Sequence, residues 1–201
     1  MESLPFRRVT LKTMTRTRVI LWFVLGALLI IPYVGFFILA KSYDRKIEQI
    51  HNASFLLIDK EQMLLSIVDY NGVVKRQYEI ACGKATGNKK QVGDMKTPEG
   101  IFHIEDIQDA SSWKHDFKDG KGEVEGAYGP CFIRLSVPGH RGIGIHGTHK
   151  PESIGTRDTE GCIRLSNEDI LDLRSRVNIG MCVIITPSAE DIVSNIGTKP
   201  Q

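Results

Sequence analysis

A mostly β domain, carrying one internal helix and preceded by an apolar segment, is the fold class this sequence predicts. Three observations lead there: short apolar runs of strand length between Gly, Pro and charged residues, a capped helical stretch from Ser166, and an uncharged stretch near the N-terminus. The chain has 201 residues, and beyond its N-terminal segment it has the length of one ordinary domain.

Val19 to Ala40 carries no charge, and as a helix rising about 1.5 Å per residue it would cross a hydrocarbon core of about 30 Å. Pro32 and Gly35 lie inside it and are tolerated in membrane helices. Arg7, Arg8, Lys12, Arg16 and Arg18 precede it. Such a basic flank predicts a cytoplasmic N-terminus over 1–18, a single-pass anchor in the cytoplasmic membrane over 19–40, and a domain on the outer face. A cleaved signal peptide would have a shorter apolar region, about 7 to 15 residues, ending in a small-x-small site. A helix buried in a soluble protein would show a polar face, absent from this run. The uncleaved anchor is therefore the expectation, with 41–53 as a polar linker.

From Ser54 the pattern becomes strand-like. Phe55–Asp59 and Met63–Asp69 are apolar runs, Asn71-Gly72 is a hairpin signal, and Val73–Ala81 is the return strand. Further strands are expected at Ile101–Ile104, Cys131–Leu135, Ile143–Ile145 and Cys182–Thr186. Glu105 to Gly129 is rich in Asp, Lys and Gly around Trp113, His115 and Phe117. It is expected to form a long surface loop, either a cover for a site or an insertion without chemistry. Ser166 with Asp169 forms a capping box, Ile170, Leu173 and Val177 share a helix face, and Gly180 is the expected stop. The domain is bounded at 54–187, and 188–201 is expected to be a polar tail.

Twenty-six basic and 24 acidic residues leave a net charge of +2, so no electrostatic footprint for nucleic acid exists. Cys82, Cys131, Cys162 and Cys182 show neither CxxC pairing nor zinc-type spacing. An outer compartment permits a disulfide among them, and which cysteines would pair stays open. His140, His146 and His149 come with no carboxylate-bearing metal motif and do not sit on a helix, so no metal is expected.

The informative segment runs from Ile145-His146-Gly147-Thr148 to Thr159-Glu160-Gly161-Cys162-Ile163-Arg164. A thiol needs a base to become a nucleophile near neutral pH, and a histidine at a strand end can supply it. Gly161 would let a reacting carbonyl approach the main chain, the N–H groups around Glu160 to Cys162 would hold an oxyanion, and Arg164 would pair with a substrate carboxylate. Taken as residue types alone, a small buried hydrophobe is the more usual use of a free cysteine.

The string itself resembles the YkuD-type L,D-transpeptidase family, whose signature is His-Gly-Thr followed by Ser/Thr-x-Gly-Cys-Ile/Val-Arg. Thr97-Pro98-Glu99-Gly100 resembles the family's Thr-Pro-x-Gly turn, Tyr128-Gly129-Pro130 leads into the next strand, and the likeness runs from about Phe55 to Thr186. The resemblance implies a β-sandwich or barrel with a short helix after the catalytic cysteine. Cys162 would be the nucleophile and His146 its base, with no cofactor. Thr159, Gly147, Thr148, Ser153 and Gly155 would shape the substrate cleft, Ser153 and Gly155 through a turn that is equally at home as plain structure. The substrate implied is a peptidoglycan stem peptide, cleaved before its terminal D-alanine and joined through a thioester to a second stem in a 3-to-3 cross-link. Hydrolysis, lipoprotein attachment and a silent wall-binding module are the other outcomes this resemblance allows. Glu160 departs from the pattern, since many members carry His there, and a carboxylate aimed at Cys162 would disfavour its thiolate.

Overall fold

The computed structural model of the protein describes Trp22, Leu28, residues 30–43 and residues 53–197. Two compact units are present, Met1–Ile50 and His51–Gln201. In the first, residues 30–43 are helical and Ile31, Tyr33 and Phe36 are exposed. Among the described residues no helix is long and apolar enough to cross a membrane. The remainder of the expected 19–40 anchor, the basic segment 1–18 and most of the 41–53 linker lie outside the described residues.

The second unit is built on one eight-stranded sheet. Strands β1 (Ser54–Asp59), β2 (Leu64–Asp69) and β3 (Val74–Glu79) form a meander, followed by the short β4 (Cys82–Gly83). Next come β5 (Gly100–Asp109), a hairpin of β6 (Lys114–Asp116) and β7 (Glu123–Glu125), then β8 (Cys131–Leu135) and β9 (Gly144–His146). A 3-10 turn at Pro151–Ser153 leads to β10 (Arg157–Thr159), β11 (Ile163–Arg164), helix α1 (Asn167–Arg174), β12 (Cys182–Thr186) and helix α2 (Ala189–Gly197). The large sheet has the order β11-β9-β8-β5-β12-β1-β2-β3, and β10 with β4 and β6 with β7 form two small sheets.

Neither a two-sheet sandwich nor a closed barrel results. The large sheet curls until the chain leaving β3 meets the opposite edge: Ala81 N–H donates to Arg164 O at 2.8 Å, and Arg164 N–H to Ala81 O at 2.9 Å. Leu56, Ile58, Leu65, Ile104, Ile133, Ile145, Ile163 and Ile185 fill the concave side together with Ile170 and Leu173 of α1. Alternate residues of each strand supply that core, as the period of two demands. The expected hairpin is present, with Gly72 at φ +83° and the Asp69 carboxylate accepting from the N–H of Asn71 and of Val73 at 2.9 Å.

Three local expectations change. β5 continues to Asp109 instead of giving way to loop, because Ile107, Gln108 and Asp109 pair with Ile133, Phe132 and Cys131 of β8. Helix α1 starts on Ser166 as expected, yet it stops at Arg174; Gly180, at φ +85°, serves the turn into β12 by donating to Ile104 O at 2.8 Å. The expected polar tail contains α2, which Ser188 and Asp191 cap reciprocally. Ser188 Oγ accepts from Asp191 N–H at 3.1 Å, and Asp191 Oδ2 accepts from Ser188 N–H at 2.8 Å.

Candidate active site

β9 and β11 run parallel, with Ile145 beside Ile163 and His146 beside Arg164. Both isoleucines are fully buried in the core. Alternation along a strand therefore turns His146, Arg164 and the preceding Cys162 to the other face, on strands about 5 Å apart. There they line one cleft of about 380 Å³ together with Thr159 and Glu160.

His146 is almost wholly buried, stacked on Phe132 at 5.6 Å and 7° and met edge-on by Tyr128 at 5.0 Å. Its Nδ1 lies 2.7 Å from Gly147 O; a carbonyl only accepts, so Nδ1 carries the proton and Nε2 presents a lone pair. Burial pushes the imidazole down to about 3, so it is neutral near pH 7. The Cys162 thiol, whose Sγ lies 3.4 Å from Gly142 O, is itself pushed up by burial. A backbone hydrogen bond from Gly144 and the charges of Lys89 and Arg164 pull it down, while Glu160 adds a smaller upward push. At rest the cleft thus holds a thiol and a neutral imidazole.

Glu160 turns its carboxylate to the β6–β7 hairpin. Oε2 is 3.1 Å from His115 Nε2, whose Nδ1 is 3.0 Å from the Tyr128 hydroxyl. His115 and Phe117 form one wall of the cleft, so the segment around Trp113 covers the site.

Several residues expected to contact substrate also hold the frame. Arg164 lines the cleft, and one of its guanidinium nitrogens, Nη1, donates to Ser153 Oγ at 2.7 Å and to Asp158 Oδ2 at 3.0 Å. The Thr159 hydroxyl donates to Cys162 O at 2.6 Å and accepts from Gly161 N–H at 3.1 Å, which closes the nucleophile turn and engages one amide expected at the oxyanion. Gly161 has φ +130°, and a β-carbon there would lie 2.7 Å from Lys96 O. Gly147 packs against Gly129, with Asn167 Oδ1 filling the space a side chain would need; the same oxygen accepts from Thr148 N–H at 2.7 Å. Thr148 Oγ1 accepts from Lys150 N–H at 2.8 Å. Ser153 and Gly155, with Gly155 N–H donating to Ile80 O at 2.9 Å, do not line the cleft.

The opposite wall was not foreseen. It is the loop between β4 and β5, which contributes Lys89, Val92 and Met95. Lys89 Nζ pairs with Asp94 Oδ1 at 2.8 Å, with side chains only 5 % and 9 % exposed. A polar loop signal at Gly93-Asp94 was present in the sequence, but nothing local joins it to a cysteine so far along the chain. All four cysteines are free, and among the described residues no group of three or more His, Cys, Asp or Glu side chains converges as a metal site.

The sequence model of the YkuD L,D-transpeptidase catalytic domain matches residues 53–185. The chain is 45 % identical to the L,D-transpeptidase YkuD of Bacillus licheniformis over 112 residues, 56 % of this chain and 53 % of that one. It is 28 % identical to the L,D-transpeptidase YqjB of Bacillus subtilis over 134 residues, 66 % of this chain and 70 % of that one. The chain thus spans about half the length of the YkuD relative. Among solved structures, the catalytic domain of the E. faecium L,D-transpeptidase superposes with a TM-score of 0.50 at 22 % identity, covering 66 % of this chain and 96 % of that one. The helical cell shape determining protein Pgp2 of Campylobacter jejuni does so with a TM-score of 0.50 at 23 % identity, covering 74 % and 56 %. The curled sheet and the match over residues 53–185 agree, and the chain belongs to the YkuD L,D-transpeptidase catalytic domain family.

Proposed function

We infer that this protein is a cysteine L,D-transpeptidase acting on peptidoglycan stem peptides. The observation that carries the reading is the placement of Cys162 and His146 on one face of β9 and β11 in a single cleft, with the Nδ1 proton tied to Gly147 O. His146 Nε2 takes the thiol proton as Sγ attacks the carbonyl carbon between an L-centred diamino acid and the terminal D-alanine. An amide N–H of the nucleophile turn holds the oxyanion. The C–N bond then breaks, the proton passes to the departing amine, and D-alanine leaves a thioester on Cys162. The amine of a second stem attacks that thioester, its proton goes to His146, the C–S bond breaks, and a 3-to-3 cross-link forms with the thiol regenerated.

Glu160 does not argue for a silent domain, because its carboxylate is paired with His115. The uncharged 19–40 run with its basic flank supports a membrane anchor that keeps the domain near an extracytoplasmic polymer. Retention of the full chain in membranes after alkaline carbonate washing is expected; release would remove the anchor.

The test of the chemistry is mass spectrometry of wild type and Cys162→Ala incubated with a tetrapeptide-stem muropeptide. Loss of D-alanine with a dimer, in wild type alone, is the expected result. Loss without dimer would make the enzyme a carboxypeptidase, and an unchanged substrate with no acylation of Cys162 would overturn the catalytic reading.

A further inference from the structure

Arg164, expected to meet a substrate carboxylate, is anchored through Nη1 to Asp158 and Ser153, and a second cation stands beside the nucleophile turn. Lys89 reaches in from the loop between β4 and β5, and a β-carbon built on Gly161 would lie 3.4 Å from its Nζ. Its ammonium is thus held over the residue that precedes Cys162. Its side chain is 5 % exposed, so the chain from which the charge hangs is already ordered.

The loop is constructed to keep it there. Asp94 Oδ2 accepts from Lys90 N–H at 2.7 Å and Gln91 N–H at 3.0 Å, while Oδ1 accepts from Lys96 N–H at 3.1 Å and from Lys89 Nζ at 2.8 Å. Three backbone donors share the charge of that carboxylate, so the lysine is oriented without being fully neutralised. An ammonium has three N–H donors, of which Asp94 takes one. Val92 and Met95 of the same loop line the cleft beside it, as do the carboxylates of Glu160 and Asp116. Lys118 and Arg141 also line the cleft but are exposed at its rim, where solvent screens them.

We propose that Lys89 is a specificity-determining residue that reads the C-terminal carboxylate of the acyl donor, selecting a stem whose scissile bond is followed by one terminal amino acid. This rests on the transpeptidase reading above and deepens it. A donor lacking that carboxylate leaves the ammonium paired with Asp94 but forfeits the contact to substrate, and is expected to be the poorer donor.

The experiment compares two synthetic tetrapeptide donors, one ending in the D-alanine acid and one in the D-alanine amide, with wild type, Lys89→Met and Lys89→Arg. Release of the terminal residue is read by mass spectrometry and the pH profile of Cys162 alkylation by iodoacetamide is read alongside. Wild type is expected to favour the acid in kcat/KM by about 30-fold or more. In Lys89→Met that ratio is expected to collapse toward one, and Lys89→Arg is expected to restore part of it. An equal fall for both donors, together with a shift of the alkylation profile, would mean that Lys89 acts only through the thiol and would overturn the proposal. A wild-type ratio near one would overturn it whether or not the variants fold. Failure of wild type on both donors would instead strike at the transpeptidase reading.

Discussion

At the scale of single residues, the cleft holds its thiol and its imidazole uncharged. Neutral His146 and protonated Cys162 coexist because both are desolvated, so in the proposed reaction proton transfer belongs to the attack and not to the resting state. Glu160 adds a small upward push to the thiol. Glu160→Gln removes a negative charge near the thiol and is expected to move the alkylation profile of Cys162 to lower pH; a profile that stays put would mean that this carboxylate does not act on the thiol. Gly161 is a matter of space. Gly161→Ala would press a methyl group toward Lys96 O in a backbone conformation that side chains rarely adopt, and displacement of the turn by about 1 Å is expected to cost about 10²-fold in turnover. Unchanged turnover in that variant would mean that the turn relaxes without consequence.

At the scale of elements, the C-terminal helix is held by charge. Lys60, with a fully buried side chain, pairs with Glu99 Oε1 at 2.7 Å and with Asp191 Oδ2 at 3.1 Å, and Arg157 reaches the same Asp191 oxygen at 2.9 Å. Asp191→Ala strips one carboxylate from two cations and should destabilise the domain by about 3–5 kcal/mol, measured by guanidinium unfolding. A loss below about 1 kcal/mol would mean that Glu99 suffices. This helix was missed because 188–201 reads as polar by composition, although Ser188 and Asp191 stand at capping spacing and Ile192, Val193 and Ile196 fall on one helix face. By contrast β1, β2, β8 and β12 were legible because their apolar runs are bounded by turn residues. The second half of β5 was not, since Asp106, Gln108 and Asp109 look like loop until pairing with β8 is known. That Cys162 and His146 share a cleft was legible through their motif. Lys89, His115 and Asp158 were not, because each joins the site through loop packing that leaves no periodic trace.

At the scale of the whole molecule, the shifted groups predict a strong dependence of stability on acid. The unfolded chain protonates His146 near its ordinary 6.5, whereas the folded one resists until about 3, so stability rises with pH across that window. Asp94, Asp158 and Asp191 are held below their ordinary 3.8 by hydrogen bonds and cations, and the stability they contribute is present above that value and lost as pH falls through their folded values. Guanidinium midpoints are therefore expected to decline from pH 7 to 4 through His146, and further below about pH 4 through the carboxylates, with His146→Gln flattening the first part. A midpoint that holds steady between pH 7 and 5 would contradict the buried neutral imidazole.

The curl of the sheet reaches beyond the cleft it shapes. β3 remains an outer strand, and such strands offer a row of backbone donors and acceptors on which a neighbouring molecule can add a strand of its own. Lys75, Arg76, Gln77 and Glu79 stand exposed along it, and the chain that leaves it is drawn at once into the bridge between Ala81 and Arg164. Two copies crowded together therefore meet charge and an occupied strand end, which guards the protein against fibrous self-assembly.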